Sequence, residues 1–194
     1  MEIVVRDLCK SYGGRLVLDH VTFTAGPGVT WLRDPSGTGK TTLLRILLGL
    51  ETADSGTVSG LEGKRLAAVF QEDRLLEHLD ARENLRFVLG PAYDEASALS
   101  LLAELGLAGG EEGKAVRAYS GGMKRRLALA RALLAPSDAL VLDEPFAGLD
   151  SENRCRCLEA IRRRTAGKPV LLVTHDGGED PEPRDGSVTL MTCT

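Results

Sequence analysis

Between the apolar run Val29-Thr30-Trp31-Leu32 and the apolar stretch ending at Leu48, the chain reads Asp34-Pro35-Ser36-Gly37-Thr38-Gly39-Lys40-Thr41-Thr42. The first run, set off by the turn residues Gly26-Pro27-Gly28, predicts a short buried strand, and Lys40 to Leu48 predicts a helix leaving the loop. A strand that feeds a glycine-rich loop and then a helix is a narrow structural choice. Gly37 and Gly39 carry no side chain that would stop backbone N–H groups from turning inward, and the helix N-terminus adds partial positive charge, so the loop is suited to hold an anion. Lys40 adds an ammonium group, and Thr41 a hydroxyl of the kind that completes the shell of Mg²⁺ around a bound triphosphate. The pattern G-x-x-x-x-G-K-[ST] begins here with Asp34 in place of glycine. Aspartate tolerates left-handed backbone angles better than most residues, but a carboxylate turned into the loop would repel a triphosphate by about 1 to 4 kcal/mol. Taken alone, the segment also fits an ordinary glycine-rich turn.

The rest of the chain repeats the alternation. Short strands are expected at Ile3 to Val5, Leu16 to Thr24, Ala67 to Phe70, Ala139 to Leu142 and Val170 to Val173. Helices are expected at Ala81 to Leu89, Glu95 to Leu105, about Gly122 to Leu134 and about Ser151 to Arg164. Alternating strands and helices imply an α/β fold with a mainly parallel sheet covered by helices on both faces. The middle helices read as an insert, and 194 residues suit one domain carrying it.

Composition narrows the partners. A formal net charge of -4 gives no general attraction for nucleic acid or an anionic lipid surface. The longest apolar run, Leu43 to Leu50, is interrupted by Arg45 and falls far short of the roughly 20 residues of a spanning helix. The N-terminus lacks the pattern of a secretory signal. Cys9, Cys155, Cys157 and Cys193 show neither a zinc spacing nor a disulfide framework, and reduced cytosolic thiols are the expectation. His20 and His78 match no motif.

Five further segments follow the loop in order. Val69-Phe70-Gln71-Glu72-Asp73 places a glutamine after a strand. Tyr119-Ser120-Gly121-Gly122-Met123 offers a hydroxyl and bare N–H groups at a helix start, although a simple helix cap has the same form. Ala139-Leu140-Val141-Leu142-Asp143-Glu144-Pro145 ends an apolar strand in two acids. One is placed to hold a cation through water and the other to take a proton from an attacking water, while two acids can also cap a turn. Ala147-Gly148-Leu149-Asp150 and Val173-Thr174-His175-Asp176 complete the series.

In this order the segments resemble the ATP-binding subunits of ABC transporters over nearly the whole chain. The resemblance implies a P-loop NTPase (RecA-like) fold over residues 1–194, with an N-terminal antiparallel β-subdomain and a helical subdomain inserted at about 72–120. It assigns Ser36, Gly37, Thr38, Gly39, Lys40, Thr41 and Thr42 to ATP, and Thr41, Gln71 and Asp143 to Mg²⁺. Glu144, His175, Lys40 and Gln71 are then the catalytic group, with His175 on the γ-phosphate. Ser120, Gly121 and Gly122 reach the ATP of an opposite subunit, and Asp150 belongs to the loop along the dimer seam. Tyr12, in Lys10-Ser11-Tyr12-Gly13-Gly14, is similar to the aromatic that stacks on adenine, although a turn tyrosine fits the same residues.

The resemblance also implies partners: a second copy or a paralogous ATPase, an integral membrane permease and a solute-binding protein, with no nucleic acid. The chain would then be cytoplasmic and peripheral on the inner face of the membrane. Phe70 to Leu76, Arg82-Glu83-Asn84 and the form Ser-Gly-Gly-Met are similar to the bacterial nitrate, sulfonate and taurine importer ATPases, which implies import. Two other readings stand beside this one: a module whose hydrolysis is impaired by Asp34, and a non-transport ABC ATPase. The latter generally carries tandem cassettes, coiled coils or basic arms, which this chain lacks.

Overall fold

The computed structural model describes residues 1–33, 37–174 and, as backbone, 186–189. The chain forms two compact units, residues 1–66, 137–143 and 166–194 in the first, 67–136 and 144–165 in the second.

The first unit opens with a three-stranded antiparallel sheet. Its central strand β1 (Ile3–Tyr12) is flanked by β2 (Arg15–Ala25) and β4 (Ser55–Ser59). β1 runs well beyond the Ile3 to Val5 expected from sequence, because its apolar alternation is interrupted. Ile3, Val5 and Leu8 are all buried, so one residue must be gained between Val5 and Leu8. A bulge does this: Val5 pairs with Phe23 and Leu8 with Val21, three steps on β1 against two on β2. A second shift of opposite sense follows, since Lys10 pairs with Leu18. β4 was not legible, for Ser-Gly-Thr-Val-Ser is short and mostly exposed.

The strands β3 (Gly28–Arg33), β6 (Ala139–Asp143), β7 (Pro169–Thr174) and β8 (Gly186–Thr189) form a parallel array in the order β6-β7-β3-β8. β6 and β7 are buried along their whole length, as expected of parallel strands covered on both faces. The helix α1 (Lys40–Leu47) packs Leu43, Leu44 and Leu47 into a core with Leu8, Leu18 and Phe23 of the antiparallel sheet and with Val141 and Val173 of the parallel one. The same core holds the end of β3, through Leu32, and the start of α1, through Leu43 and Leu44.

In the second unit, the short strand β5 (Leu66–Val69), whose first residue belongs to the first unit, leads to four helices: α2 (Ala81–Leu89), α3 (Glu95–Glu104), α4 (Gly121–Leu134) and α5 (Ser151–Arg164). α4 packs against each of the other three. Asp80 starts α2 with a capping box, its carboxylate accepting from the Glu83 N–H while the Glu83 side chain accepts from the Asp80 N–H. Cys155 is exposed on α5 and Cys157 buried, as two residues apart on a helix require. Among the described residues no helix is long and apolar enough to cross a membrane.

Candidate functional site

In the first unit a cavity of about 230 Å³ opens between the loop and the end of β6, lined by Val17, Gly37, Gly39, Lys40, Thr41, Thr42 and Asp143. Pairing brings these groups to one level. Asp143 stands opposite Val173 and Val173 opposite Leu32, so the strand-end acid lies two strands from the residue that leads into the loop. That span is about 10 Å at ordinary sheet spacing, and α1 bridges it: Thr41 Oγ1 donates to Asp143 Oδ2 at 3.3 Å. This is the crevice at the carboxyl ends of parallel strands where ligands of open α/β sheets bind.

Gly39 caps α1 in a left-handed conformation, φ 84°. A Cβ there would stand 2.6 Å from the Val17 carbonyl oxygen and 2.7 Å from Leu18 Cδ2, so only glycine lets β2 press this close. Lys40 and Asp143 are both buried. The cavity is smaller than the roughly 300 to 1,000 Å³ that enclose a whole drug-sized ligand. It therefore matches a polyphosphate chain with the nucleoside outside.

Tyr12 does not line this cavity. It is 45% exposed at the end of β1, its hydroxyl donates to Glu51, and Lys10 Nζ lies 5.5 Å from its ring centre. Val17, which sequence reading overlooked, lines the cavity instead. Thr38 belongs to the same loop. Asp34, Ser36 and His175 lie outside the described residues.

In the second unit a larger cavity, about 560 Å³, is lined by Gln71, Ser120, Gly121, Gly122 and Asp150, together with Asp73, Arg125, Arg126, Gly148 and Asn153. Ser120 caps α4, its Oγ accepting from the Met123 N–H at 3.2 Å. Gly122 packs beneath Leu149: a Cβ would meet Leu149 Cδ2 at 3.2 Å and the Gly148 carbonyl oxygen at 3.3 Å. Tyr119 is buried and its hydroxyl donates to the Glu111 carbonyl at 2.6 Å. Burial pushes this phenol up to about 12, so it stays neutral and fills an apolar position. Asp150 caps α5, accepting from the Asn153 N–H and from Asn153 Nδ2, each at 2.8 Å. Those bonds, the backbone one first, hold its carboxyl below the usual range.

Arg125, also missed from sequence, is the hub of this unit. Its guanidinium is buried, donating to the Phe70 carbonyl at 2.6 Å, to Asp73 Oδ1 at 3.0 Å, and to the Glu144 carbonyl through Nε at 2.9 Å and Nη2 at 2.7 Å. It thereby ties the segment of Gln71 to the peptide of Glu144. Glu144 itself has φ 50°, a left-handed angle uncommon outside glycine, and the two guanidinium bonds hold it there. The legible signal was Arg125-Arg126 inside Met-Lys-Arg-Arg-Leu-Ala-Leu-Ala-Arg-Ala-Leu-Leu. On a helix surrounded by three others, adjacent arginines cannot both reach solvent. Arg126 also turns inward, donating to the Leu105 carbonyl at 2.7 Å and to Asn153 Oδ1 at 3.0 Å.

A hydroxyl paired with a strand-end carboxylate beside a buried lysine and a glycine-lined loop suits a triphosphate, and the family model described as ABC transporter matches residues 18–147, more than half of the chain. The chain belongs to the ABC transporter family. It is an ATPase of that family, and ATP is its nucleotide. The aliphatic sulfonates import ATP-binding protein SsuB 1 of Rhodococcus jostii is 43% identical over 173 residues, which cover 85% of this chain and 69% of that protein. The sulfate/thiosulfate import ATP-binding protein CysA of Mycobacterium tuberculosis is 39% identical, covering 91% of this chain and 55% of its own longer one. Among solved structures, an ATP-binding subunit of an ABC transporter superposes with a TM-score of 0.75 at 29% identity, covering 90% of this chain and 80% of that one. A putative ABC transporter ATP-binding protein from Pyrococcus furiosus gives 0.85 at 21% identity over 98% of both chains, a likeness of fold. The α/β architecture expected from sequence, a mainly parallel sheet with an antiparallel sheet beside it, is the one observed.

Proposed function

We propose that the chain, acting as one ATP-binding domain over residues 1–194 with its helical part inserted at about 72–120, hydrolyses ATP to drive import through a separate membrane permease. Two copies, or one copy and a paralogue, close head to tail so that the loop cavity of one and the Ser120 cavity of the other hold the same ATP. The observation that carries this reading is the Thr41 Oγ1 to Asp143 Oδ2 contact inside a cavity walled by Gly37, Gly39 and Lys40.

The residues divide the work. Backbone N–H groups of residues 36–42 and the Lys40 ammonium neutralise the phosphates. Thr41 and Asp143 offer a hydroxyl and a carboxylate 3.3 Å apart, an oxygen donor set that fits Mg²⁺, with Gln71 as a further ligand. When bound, the ion neutralises charge developing on the phosphate oxygens. Glu144 accepts a proton from water as the water oxygen bonds to the γ-phosphorus and the bond to the β–γ bridging oxygen breaks. His175 contacts the γ-phosphate, Tyr12 stacks on the base, and Asp150 with Ser120, Gly121 and Gly122 closes the site from the second copy. Most of the catalysis is positioning and charge neutralisation.

The names of the relatives, import proteins for aliphatic sulfonates and for sulfate or thiosulfate, support a small oxyanion or sulfonate as cargo. A solute-binding protein would deliver it, and the chain would sit peripherally on the inner face of the membrane.

Glu144→Gln tests this reading. It keeps the shape of the site and removes the proton acceptor, so ATP and Mg²⁺ should convert the variant to a stable dimer on sizing while turnover falls at least about a hundredfold. A variant that stays monomeric with ATP, or hydrolyses at the native rate, overturns the proposal. Native turnover measured beside Asp34→Gly separates an active enzyme from a hydrolysis-impaired module: equal rates exclude impairment.

A further inference from the structure

Away from the phosphate cavity, the paired bulges of β1 and β2 bring together three side chains that the ATPase chemistry does not use. The Cys9 thiol, the Asp19 carboxylate and the His20 imidazole each present a ligand atom within 4.8 Å of the others. The register explains why. Leu8 pairs with Val21 and Lys10 with Leu18, so Cys9 alone stands opposite both Asp19 and His20. The backbone is bent on both strands at this point, with Asp7 at φ 48° and His20 at φ 47°. The His20 N–H donates to Cys9 Sγ at 3.3 Å, and the thiol in turn donates to the Asp7 carbonyl at 3.7 Å. A second carboxylate stands close by, Asp7 Oδ1 lying 3.9 Å from His20 Nδ1.

We propose that Cys9, Asp19 and His20 form a binding site for a borderline-soft divalent cation of the Zn²⁺ class. The donor set decides the class. One sulfur, one imidazole nitrogen and one carboxylate oxygen form a mixed set suited to Zn²⁺ and poorly suited to Mg²⁺ or Ca²⁺, which take oxygen. Three protein ligands leave a fourth tetrahedral position for water or for Asp7. Bond lengths of about 2.0 to 2.3 Å put neighbouring ligand atoms about 3.5 Å apart in a tetrahedral shell. The present separations close to that value by side-chain rotation, for which His20, 73% exposed, is free. Binding releases the thiol proton to solvent and forms Zn–S, Zn–N and Zn–O bonds, with no change of oxidation state.

The other described cysteines offer nothing comparable. Cys157 is buried and its thiol is pushed up to about 12, mainly by desolvation, and Cys155 is exposed but joins no such group among the described residues. A cation at Cys9 would clip β1 to β2 at the register shift between Leu8 and Lys10. Val17, two residues before Asp19 on β2, lines the phosphate cavity, so the clip would stiffen the hairpin that forms one of its walls.

The test uses Co²⁺ as a spectroscopic substitute, added to the full-length protein without nucleotide. One equivalent should produce a thiolate-to-cobalt charge-transfer band, and Zn²⁺ should bleach it. The oxygen ligands of Thr41 and Asp143 cannot give that band. Cys9→Ser should abolish it, Cys155→Ser should leave it intact, and His20→Asn should weaken Zn²⁺ binding about tenfold or more. His20→Asn retains a residue that accepts left-handed angles and alters an exposed side chain, so it remains decisive if Cys9→Ser fails to fold. Absence of the band, its survival in Cys9→Ser, its loss in Cys155→Ser, or unchanged Zn²⁺ affinity in His20→Asn would each overturn the proposal.

Discussion

Gly37 and Gly39 look interchangeable in the sequence, yet the structure gives them different duties. Both have positive φ, 87° and 84°, so an alanine at either pays roughly 1 to 2 kcal/mol for a left-handed angle. A Cβ on Gly37 meets nothing within 4 Å among the described residues, whereas one on Gly39 collides with the Val17 carbonyl. Gly39→Ala must therefore displace β2 or the loop as well. Titration with a fluorescent ATP analogue should show both variants weakened, Gly39→Ala by roughly a further tenfold, which corresponds to about 1.4 kcal/mol. Equal losses would mean that the contact with Val17 does not shape the loop. The sequence marked both glycines because their chemistry is local. It could not mark Val17 or the Cys9 cluster, whose roles depend on what a second strand brings opposite them, and for Arg125 it offered only a pair of arginines inside an apolar helix.

Elements were legible where burial imposes a period. β6, β7 and the helices α2 to α5 lie close to their expected places because apolar residues crowd one face or both. β4 and β8, Ser-Gly-Thr-Val-Ser and Gly-Ser-Val-Thr, carry almost no apolar signal, and pairing with a neighbour alone defines them. The ties between helices are equally invisible from the sequence. Glu104, at the end of α3, accepts from Arg164 Nη2 at 2.9 Å and is ion-paired to Arg163, both on α5. Desolvation pushes its carboxyl up, but the hydrogen bond and charge of Arg164, and then those of Arg163, outweigh it and leave the group below the usual carboxylate range. A folded-state value below the unfolded one stabilises the fold above the unfolded value of about 4.3 and is lost as pH falls through the folded value. Glu104→Gln should thus lower the urea midpoint at neutral pH and narrow the gap to native as the solution is acidified through that window. A gap that stays constant down to about pH 3 would show that the bridge does not stabilise the folded state.

At the scale of the whole molecule the question is how many copies make one site. The phosphate loop with Asp143 belongs to one unit and Ser120 with Asp150 to the other, and the proposed reaction draws on both kinds of cavity for each ATP. Complementation separates a shared site from a self-contained one. Lys40→Ala removes the ammonium from the loop cavity, and Ser120→Arg fills the other cavity with a bulky side chain. Each variant alone should lack turnover. In an equal mixture half of the dimers are mixed, and each mixed dimer rebuilds one of its two sites, from the loop of the Ser120→Arg copy and the Ser120 cavity of the Lys40→Ala copy. Turnover should therefore return to about a quarter of native if pairing is random and the two sites work independently. A chain that completes its own site has no route to recovery, because neither variant carries an intact set. A mixture as inactive as its components, under conditions where Glu144→Gln dimerises with ATP, would place both halves of the site on a single copy.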